Sequence, residues 1–349
     1  MKEILVRPTI LAWYNNKQFD VHNKKLNINN ALDAMYELRE DLKKRDYILK
    51  TIDTGDLIKS KAIIFADIEH IDPYLKKCVK LGLKDKMILI MTESPLIKPH
   101  QYTKRNHDKF KYILTWSDDL IDNKKYFRYY IPQILFKTPK KKVPFNKKRF
   151  MCMVNANKIA IGEGELYSER KKASLFLEKK IKDYDVYGME WNKNQFKLIT
   201  FLHTIKNFHK LNLKRALYLI DYIFNIRKLK SYKGPVESVT ETMSKYKFCL
   251  CYENADNYRG YVTEKIFNCF NARCVPIYWG APNITDYVPA NTFIDRKKFR
   301  SDDELLQFLK DMKEKEYEKY IKNINRFLKS EKADKFSIDH FKRIMNKIL

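Results

Sequence analysis

The sequence predicts an α/β chain built from two open sheets, and three observations predict it. Its 349 residues, 44% of them hydrophobic, suffice for a sizeable core and favour two domains over one. Apolar runs alternate with helix-like stretches over residues 1–135, and the same alternation resumes at Arg149. Between the two runs the composition changes. Pro139 and Pro144 punctuate a stretch carrying Lys137, Lys140, Lys141, Lys142, Lys147, Lys148 and Arg149. Proline and repelling charge make residues 136–149 a basic interdomain linker.

In the first domain, residues 1–135, strands are expected at 4–13, 62–67, 86–91 and 112–116, and helices at 30–45 and 73–81. The second domain, 150–330, opens with a strand at 149–155, an amphipathic helix at 166–180 and a strand at 185–188. Residues 194–230 are a helical excursion, readable either as core packing or as a flap that binds an acceptor or partner. A strand at 248–252, a helix at 263–271 and a buried strand at 274–279 follow. The tail from 302 to 349 reads as three helices with breaks near Lys315 and Ala333, and its final part, 331–349, is free to pack back on the first domain.

Composition excludes several classes of function. No apolar run is long enough for a membrane helix, and the N-terminus, with Glu3 and no apolar core, reads as a strand and not a leader. The expected location is cytoplasmic. The six cysteines form no Cys-x-x-Cys pair and the seven histidines show no ligand spacing, which argues against structural zinc and a disulfide framework. A net charge of +27 first suggests nucleic acid, but 55 of the 70 basic residues are lysines spread along the whole chain. Base-edge readers rely on the arginine fork, and no helix-turn-helix, finger or RNA-recognition signature occurs. The expectation is no nucleic acid, with peripheral contact to an anionic membrane left open by the lysine-rich surface.

The chemistry concentrates at 245–293. A strand runs into Tyr252-Glu253-Asn254, a polar loop ends at Arg259-Gly260, and Tyr261-Val262-Thr263-Glu264-Lys265 leads into a helix. In an open α/β sheet, ligands bind in the crevice between strand carboxyl ends and helix N-termini. Thr263 suits an N-cap, and Lys265 in the first turn opposes the helix dipole. That lysine either swings out to solvent or is held by an anion, and the residue alone does not decide between them.

The segment resembles the α-1,3/1,4-fucosyltransferases, glycosyltransferase family 10, in the order and spacing of its parts. The matching residues are Tyr252-Glu253-Asn254, Tyr261 to Lys265 and Val275-Pro276-Ile277-Tyr278-Trp279-Gly280. Asn283 to Pro289 and Phe293-Ile294-Asp295 continue the pattern, as in bacterial members. Met151 to Asn155 with Glu169-Arg170, and Met91-Thr92-Glu93-Ser94-Pro95, resemble two further family elements. The first 60 or so residues and the 194–230 excursion match weakly.

The resemblance implies a GT-B fold, two Rossmann-like domains facing each other across a cleft, with C-terminal helices. It implies an inverting transfer of L-fucose from GDP-fucose to a hydroxyl of an oligosaccharide or glycoconjugate acceptor, α-1,3 to N-acetylglucosamine or glucose. Glu93 would be the catalytic base, and Arg170, Asn254, Tyr261, Glu264 and Lys265 would bind the donor. Arg170 and Lys265 are the cations for the departing diphosphate, so no cofactor is required and Mn2+ or Mg2+ would at most stimulate. Asp183-Tyr184-Asp185 has the spelling of a metal-holding Asp-x-Asp, but it precedes a strand and reads as a surface turn. Other readings stay open at this level. Glu93 also suits an ordinary loop acid, Arg170 a solvated charge on an outer helix face, and Glu264 a first-turn acid favoured by the dipole. A transferase of another GDP-sugar and a non-enzymatic basic binder are the alternatives.

Overall fold

The computed structural model describes residues 1–136, 139, 141–192 and 229–349. Most of the excursion at 194–230, and Lys137 and Lys140 of the linker, lie outside the described residues.

Two all-parallel sheets carry the fold. The first has six strands: β1 (Lys2–Arg7), β2 (Tyr47–Thr51), β3 (Ala62–Ala66), β4 (Met87–Met91), β5 (Tyr112–Thr115) and β6 (Tyr126–Arg128). Their spatial order is β2-β1-β3-β4-β5-β6. The second has β7 (Arg149–Val154), β8 (Tyr184–Tyr187), β9 (Tyr246–Tyr252), β10 (Val275–Trp279) and β11 (Ile294–Asp295), in the order β11-β10-β9-β7-β8. Parallel strands covered on both faces need continuous apolar runs. Ala62–Ala66 and Met87–Met91 are buried at every position. In each sheet the strand order reverses once, at β1/β3 and at β7/β9, and those crevices are where an open sheet receives ligands.

Several elements differ from expectation for local reasons. β1 stops at Arg7, because Pro8 lacks a ladder donor and fixes φ, and the chain then turns through Leu11–Trp13. The first helix begins at Asp33 because Asn29 and Asn30 both hold positive φ. The tail holds four helices, Asp302–Asp311, Glu314–Leu328, Glu331–Asp334 and Ile338–Ile348. Ser330 and Ser337 cap the last two by accepting from Ala333 N and His340 N.

The basic linker is a packed element at its C-terminal end. Lys148 donates to the carbonyls of Ser244 at 2.6 Å, Tyr246 at 3.1 Å and Arg273 at 3.1 Å. Burial pulls its pKa down. Asp183-Tyr184-Asp185 is not a free surface turn either. Asp185 lies within β8, buried and ion-paired to Arg149, whose Nε also donates to Asp183 at 2.7 Å. The cysteines are all buried free thiols, and among the described residues no group of three His, Cys, Asp or Glu side chains is placed to hold a metal. None of the described helices is long and apolar enough to cross a membrane.

The last helix returns to the first sheet. Phe341 and Met345 are buried there with Leu38, Leu42 and Tyr129, and Asn346 Nδ2 donates to Asp41 at 2.8 Å. The rest of the tail packs in the second core, through Leu305, Leu309, Tyr317, Ile321 and Phe327.

Candidate functional site

The carboxyl ends of the two sheets face each other, and the loops after β4 and β5 meet those after β7 and β9. A Cβ on Gly162, in the loop after β7, would lie 2.5 Å from Leu96 in the loop after β4. The β7 and β9 loops are laced by Leu166 N to Asn254 O at 3.0 Å and Asp256 N to Gly164 O at 2.9 Å.

Arg170 stands in the helix Tyr167–Lys180, which starts at the β7/β9 crevice. It is 3% exposed, so it is not a solvated charge on an outer face. Nη2 donates to Tyr252 O at 2.7 Å and to Asn254 Oδ1 at 3.0 Å, and the guanidinium lies 4.7 Å from the centre of the Tyr167 ring. Nε is buried with no hydrogen-bond partner. The side chain forms no ion pair among the described residues. Burial pulls its pKa down. A buried guanidinium without a carboxylate is costly unless an anion arrives.

Lys265 behaves differently. Its Nζ lies 3.2 Å from Oε2 of Glu253, which is 0% exposed, and 3.5 Å from Glu264. Glu253 also accepts from Thr263 N at 3.0 Å and from Thr263 Oγ1 at 2.7 Å. Burial opposes the charge on Lys265, but Glu253 and Glu264 outweigh it and raise the pKa. The lysine that seemed misplaced against the helix dipole therefore has an internal counterion. Glu253 is the residue the sequence reading passed over. The alternation placing Cys249 and Cys251 on one face of β9 continues to Glu253, marking an acid aimed into the core that needs a partner.

Tyr261 is braced and not free. Its ring packs 4.7 Å from that of Trp116 in the first half, and its hydroxyl accepts from Asn254 Nδ2 at 3.2 Å. Accepting from Asn254 leaves the hydroxyl its own proton to donate. Glu264 keeps 50% of its side-chain surface open beside Lys265, whose own side chain is 16% exposed. An open carboxylate in such crowded surroundings marks a cleft wall.

Glu93 follows β4 on the opposite wall. Burial first, and Asp67 second, raise its pKa, while Lys265 and Lys158 pull the other way. Lys265, on the opposite wall, thus favours the charged form of Glu93. Asp67, buried and at positive φ, orders the Glu93 loop: it accepts from Thr92 N at 2.8 Å, Thr92 Oγ1, Glu93 N at 3.4 Å and Gln101 Nε2 at 3.0 Å. Tyr102 OH donates to Glu93 O at 2.7 Å. The Glu93 carboxylate itself accepts no hydrogen bond from the described residues, as suits a group that must receive a proton.

Residues 212–341 match the family model of the glycosyltransferase family 10 (fucosyltransferase) C-terminal region. That match takes in 130 of the 349 residues, and over it the chain is similar to glycosyltransferase family 10. Asn254, Tyr261, Glu264 and Lys265 lie within the family match, while Glu93 and Arg170 lie outside it. An α-(1,3)-fucosyltransferase of Helicobacter pylori is 39% identical over 75 residues, 22% of this chain and 16% of that protein. An α-(1,4)-fucosyltransferase of Arabidopsis thaliana is 47% identical over 68 residues, 20% of this chain and 17% of that protein. A 4-galactosyl-N-acetylglucosaminide 3-α-L-fucosyltransferase of Mus musculus is 35% identical over 118 residues, 31% of this chain and 32% of that protein. The chain thus covers less than a third of the length of each of these family relatives. Among solved structures, an α1,3-fucosyltransferase with GDP superposes with a TM-score of 0.52 at 16% identity, covering 99% of this chain and 89% of that one. An α-glucosyltransferase with UDP gives 0.57 at 11% identity, covering 100% and 99%. At such identities these two share the GT-B fold alone.

Proposed function

We propose that this protein is a family 10 enzyme, an inverting fucosyltransferase that moves L-fucose from GDP-fucose to a hydroxyl of an oligosaccharide or glycoconjugate acceptor. The observation that carries the reading is Arg170, a buried guanidinium with no carboxylate partner among the described residues, standing at the switch crevice of the second sheet. The family match and the GDP and GDP-fucose held by structurally similar α1,3-fucosyltransferases support the donor assignment.

In the proposed reaction, the Glu93 carboxylate takes the acceptor hydroxyl proton while the oxygen attacks C1 of fucose from the face opposite the diphosphate. The C1–O bond to the β-phosphate breaks and its electron pair leaves with GDP. Arg170, with Lys265 behind it, meets the charge that develops there. Glu264, on the open wall, suits the fucose hydroxyls or the positive charge building on the ring. Metal independence belongs to the same proposal. Arg170 and Lys265 would take the part that a divalent ion plays in other transferases, and the Asp-x-Asp acids are engaged by Arg149.

Calorimetry with GDP in excess EDTA tests the reading. The expected result is binding by the natural protein and weakening of about tenfold or more in Arg170→Lys, which loses the bidentate fork. No binding at millimolar GDP, or binding restored only by manganese, would overturn it. Transfer assayed with GDP-fucose, GDP-mannose and a UDP-sugar then separates fucose from other donors.

A further inference from the structure

The two halves are joined by a polar hub that the proposed chemistry does not use. Asp118, in the turn after β5, accepts from Arg128 of its own half, from Asn283 Nδ2 of the other half at 2.7 Å, and from the Tyr287 hydroxyl. Burial works against the charge on Asp118, but the hydrogen bonds from Tyr287, Asn283 and Arg128 outweigh it and depress its pKa. Asn283 uses its other atom, Oδ1, to accept Gly260 N at 2.9 Å. Backbone contacts run alongside. Asp118 N donates to Arg259 O at 3.3 Å, and a Cβ on Gly260, whose φ is +82°, would come within 2.4 Å of Trp116 O. The Trp116 ring lies against Tyr258 as well as Tyr261.

All these contacts converge on residues 258–261. That stretch is the distal part of the loop whose start carries Glu253 and Asn254 and whose end carries Glu264 and Lys265. Asn254 bridges Arg170 and Tyr261, so a shift of Tyr261 is passed to the guanidinium through one amide.

We propose that Asp118 is a positioning residue for donor binding. It belongs to the acceptor half, and through Asn283 and Tyr287 it fixes the donor loop at 254–263 in the conformation that receives the nucleotide diphosphate. Affinity for the donor is thereby set partly by the opposite half of the molecule. The inference rests on the fucosyltransferase reading.

The test compares the natural protein with Asp118→Ala, Asp118→Asn and Tyr287→Phe, measuring GDP affinity by calorimetry, donor and acceptor KM, kcat and Tm. In Asp118→Ala the GDP Kd and donor KM should rise about tenfold, with kcat and acceptor KM within about twofold. Asp118→Asn keeps an acceptor oxygen and should fall between the two. A brace that only stabilises the fold would lower Tm or the active fraction and leave Kd and KM unmoved, which would overturn the proposal. If Asp118→Ala fails to fold, Tyr287→Phe decides, because it removes one hydroxyl from the hub. A GDP Kd raised about threefold or more supports the role, and an unchanged one overturns it. A natural protein that binds no GDP fails the fucosyltransferase reading and this inference together. One that binds GDP alongside variants that bind it equally fails this inference alone.

Discussion

Glu93 and Lys265 show how single side chains at this site carry opposite costs. Burial and Asp67 raise the Glu93 pKa, so the native state holds that proton more tightly than the unfolded chain does. The stability this group contributes is full below its unfolded pKa and is lost as pH rises through the native value. At neutral pH Glu93→Gln should therefore raise Tm while lowering turnover about 10²-fold or more and leaving GDP binding nearly intact. The acid limb of kcat/KM, expected above the ordinary glutamate value of about 4.3, should vanish in the variant. Normal turnover in Glu93→Gln would remove the base assignment. Lys265 has the reverse logic. Lys265→Met strands the buried Glu253 carboxylate and should cost about 3–5 kcal/mol of stability. Adding Glu253→Gln should recover most of that loss in a denaturant titration without recovering turnover. If the double variant stays as unstable as the single one, the ion pair is not what Lys265 contributes to folding. Glu93 and Arg170 could be singled out in the sequence because local motifs flank them. Glu253 was visible as part of a motif, but its role was not, because only the direction of its side chain reveals a counterion. Asp118 was not visible at all, since its partners Asn283 and Tyr287 lie 165 and 169 residues away.

Long apolar runs made the central strands readable, and short polar edges hid the others. β3, β4, β5, β7, β9 and β10 fall within a few residues of their expected places, because strands buried on both faces write continuous hydrophobic sequence. β2 was missed. Its five residues, Tyr-Ile-Leu-Lys-Thr, include Lys50, whose charge is met by Glu3 of the neighbouring strand at 2.5 Å. β6 spans three half-buried residues and carries too little pattern to register. A helix start was readable where a cap names it, as at Thr263. The helix Tyr167–Lys180 defied its amphipathic reading, because its inward face carries Ser168, Arg170 and Ser174 beside Ala173 and Leu177. The face that looks poor by hydrophobicity is the one that serves the crevice. The end of the linker was misjudged for a related reason: a lysine run signals repulsion in sequence, whereas Lys148 is consumed by three carbonyls.

At the scale of the molecule, the chain closes on itself. Its last helix completes the face of the first sheet that β1, β3 and the helix Asp33–Lys43 leave open, so the two halves are bound at the hub of Asp118 and again at the termini. The charge of +27 is compatible with this closure because the described lysines lie mostly at exposed positions, where repulsion is screened. The terminal contact makes a specific claim about which half depends on it. Phe341 is 2% exposed and its ring meets that of Tyr129 at 5.9 Å, edge to face. Phe341→Ala opens a hole in the first core and should cost about 3–5 kcal/mol. Lys342→Ala is the matched control, since its ion pairs with Asp339 of its own helix at 2.7 Å and with Glu37 at 3.8 Å involve exposed carboxylates and should contribute about 0–1 kcal/mol. Native-state hydrogen exchange locates the damage. Amides of β1 and β2 should exchange faster in Phe341→Ala than in the control, although the substitution lies about 290 residues or more downstream of them, while β7 and β9 keep their protection. If the acceleration falls on β7 and β9 instead, the last helix belongs energetically to the second half, and the termini do not clasp the molecule.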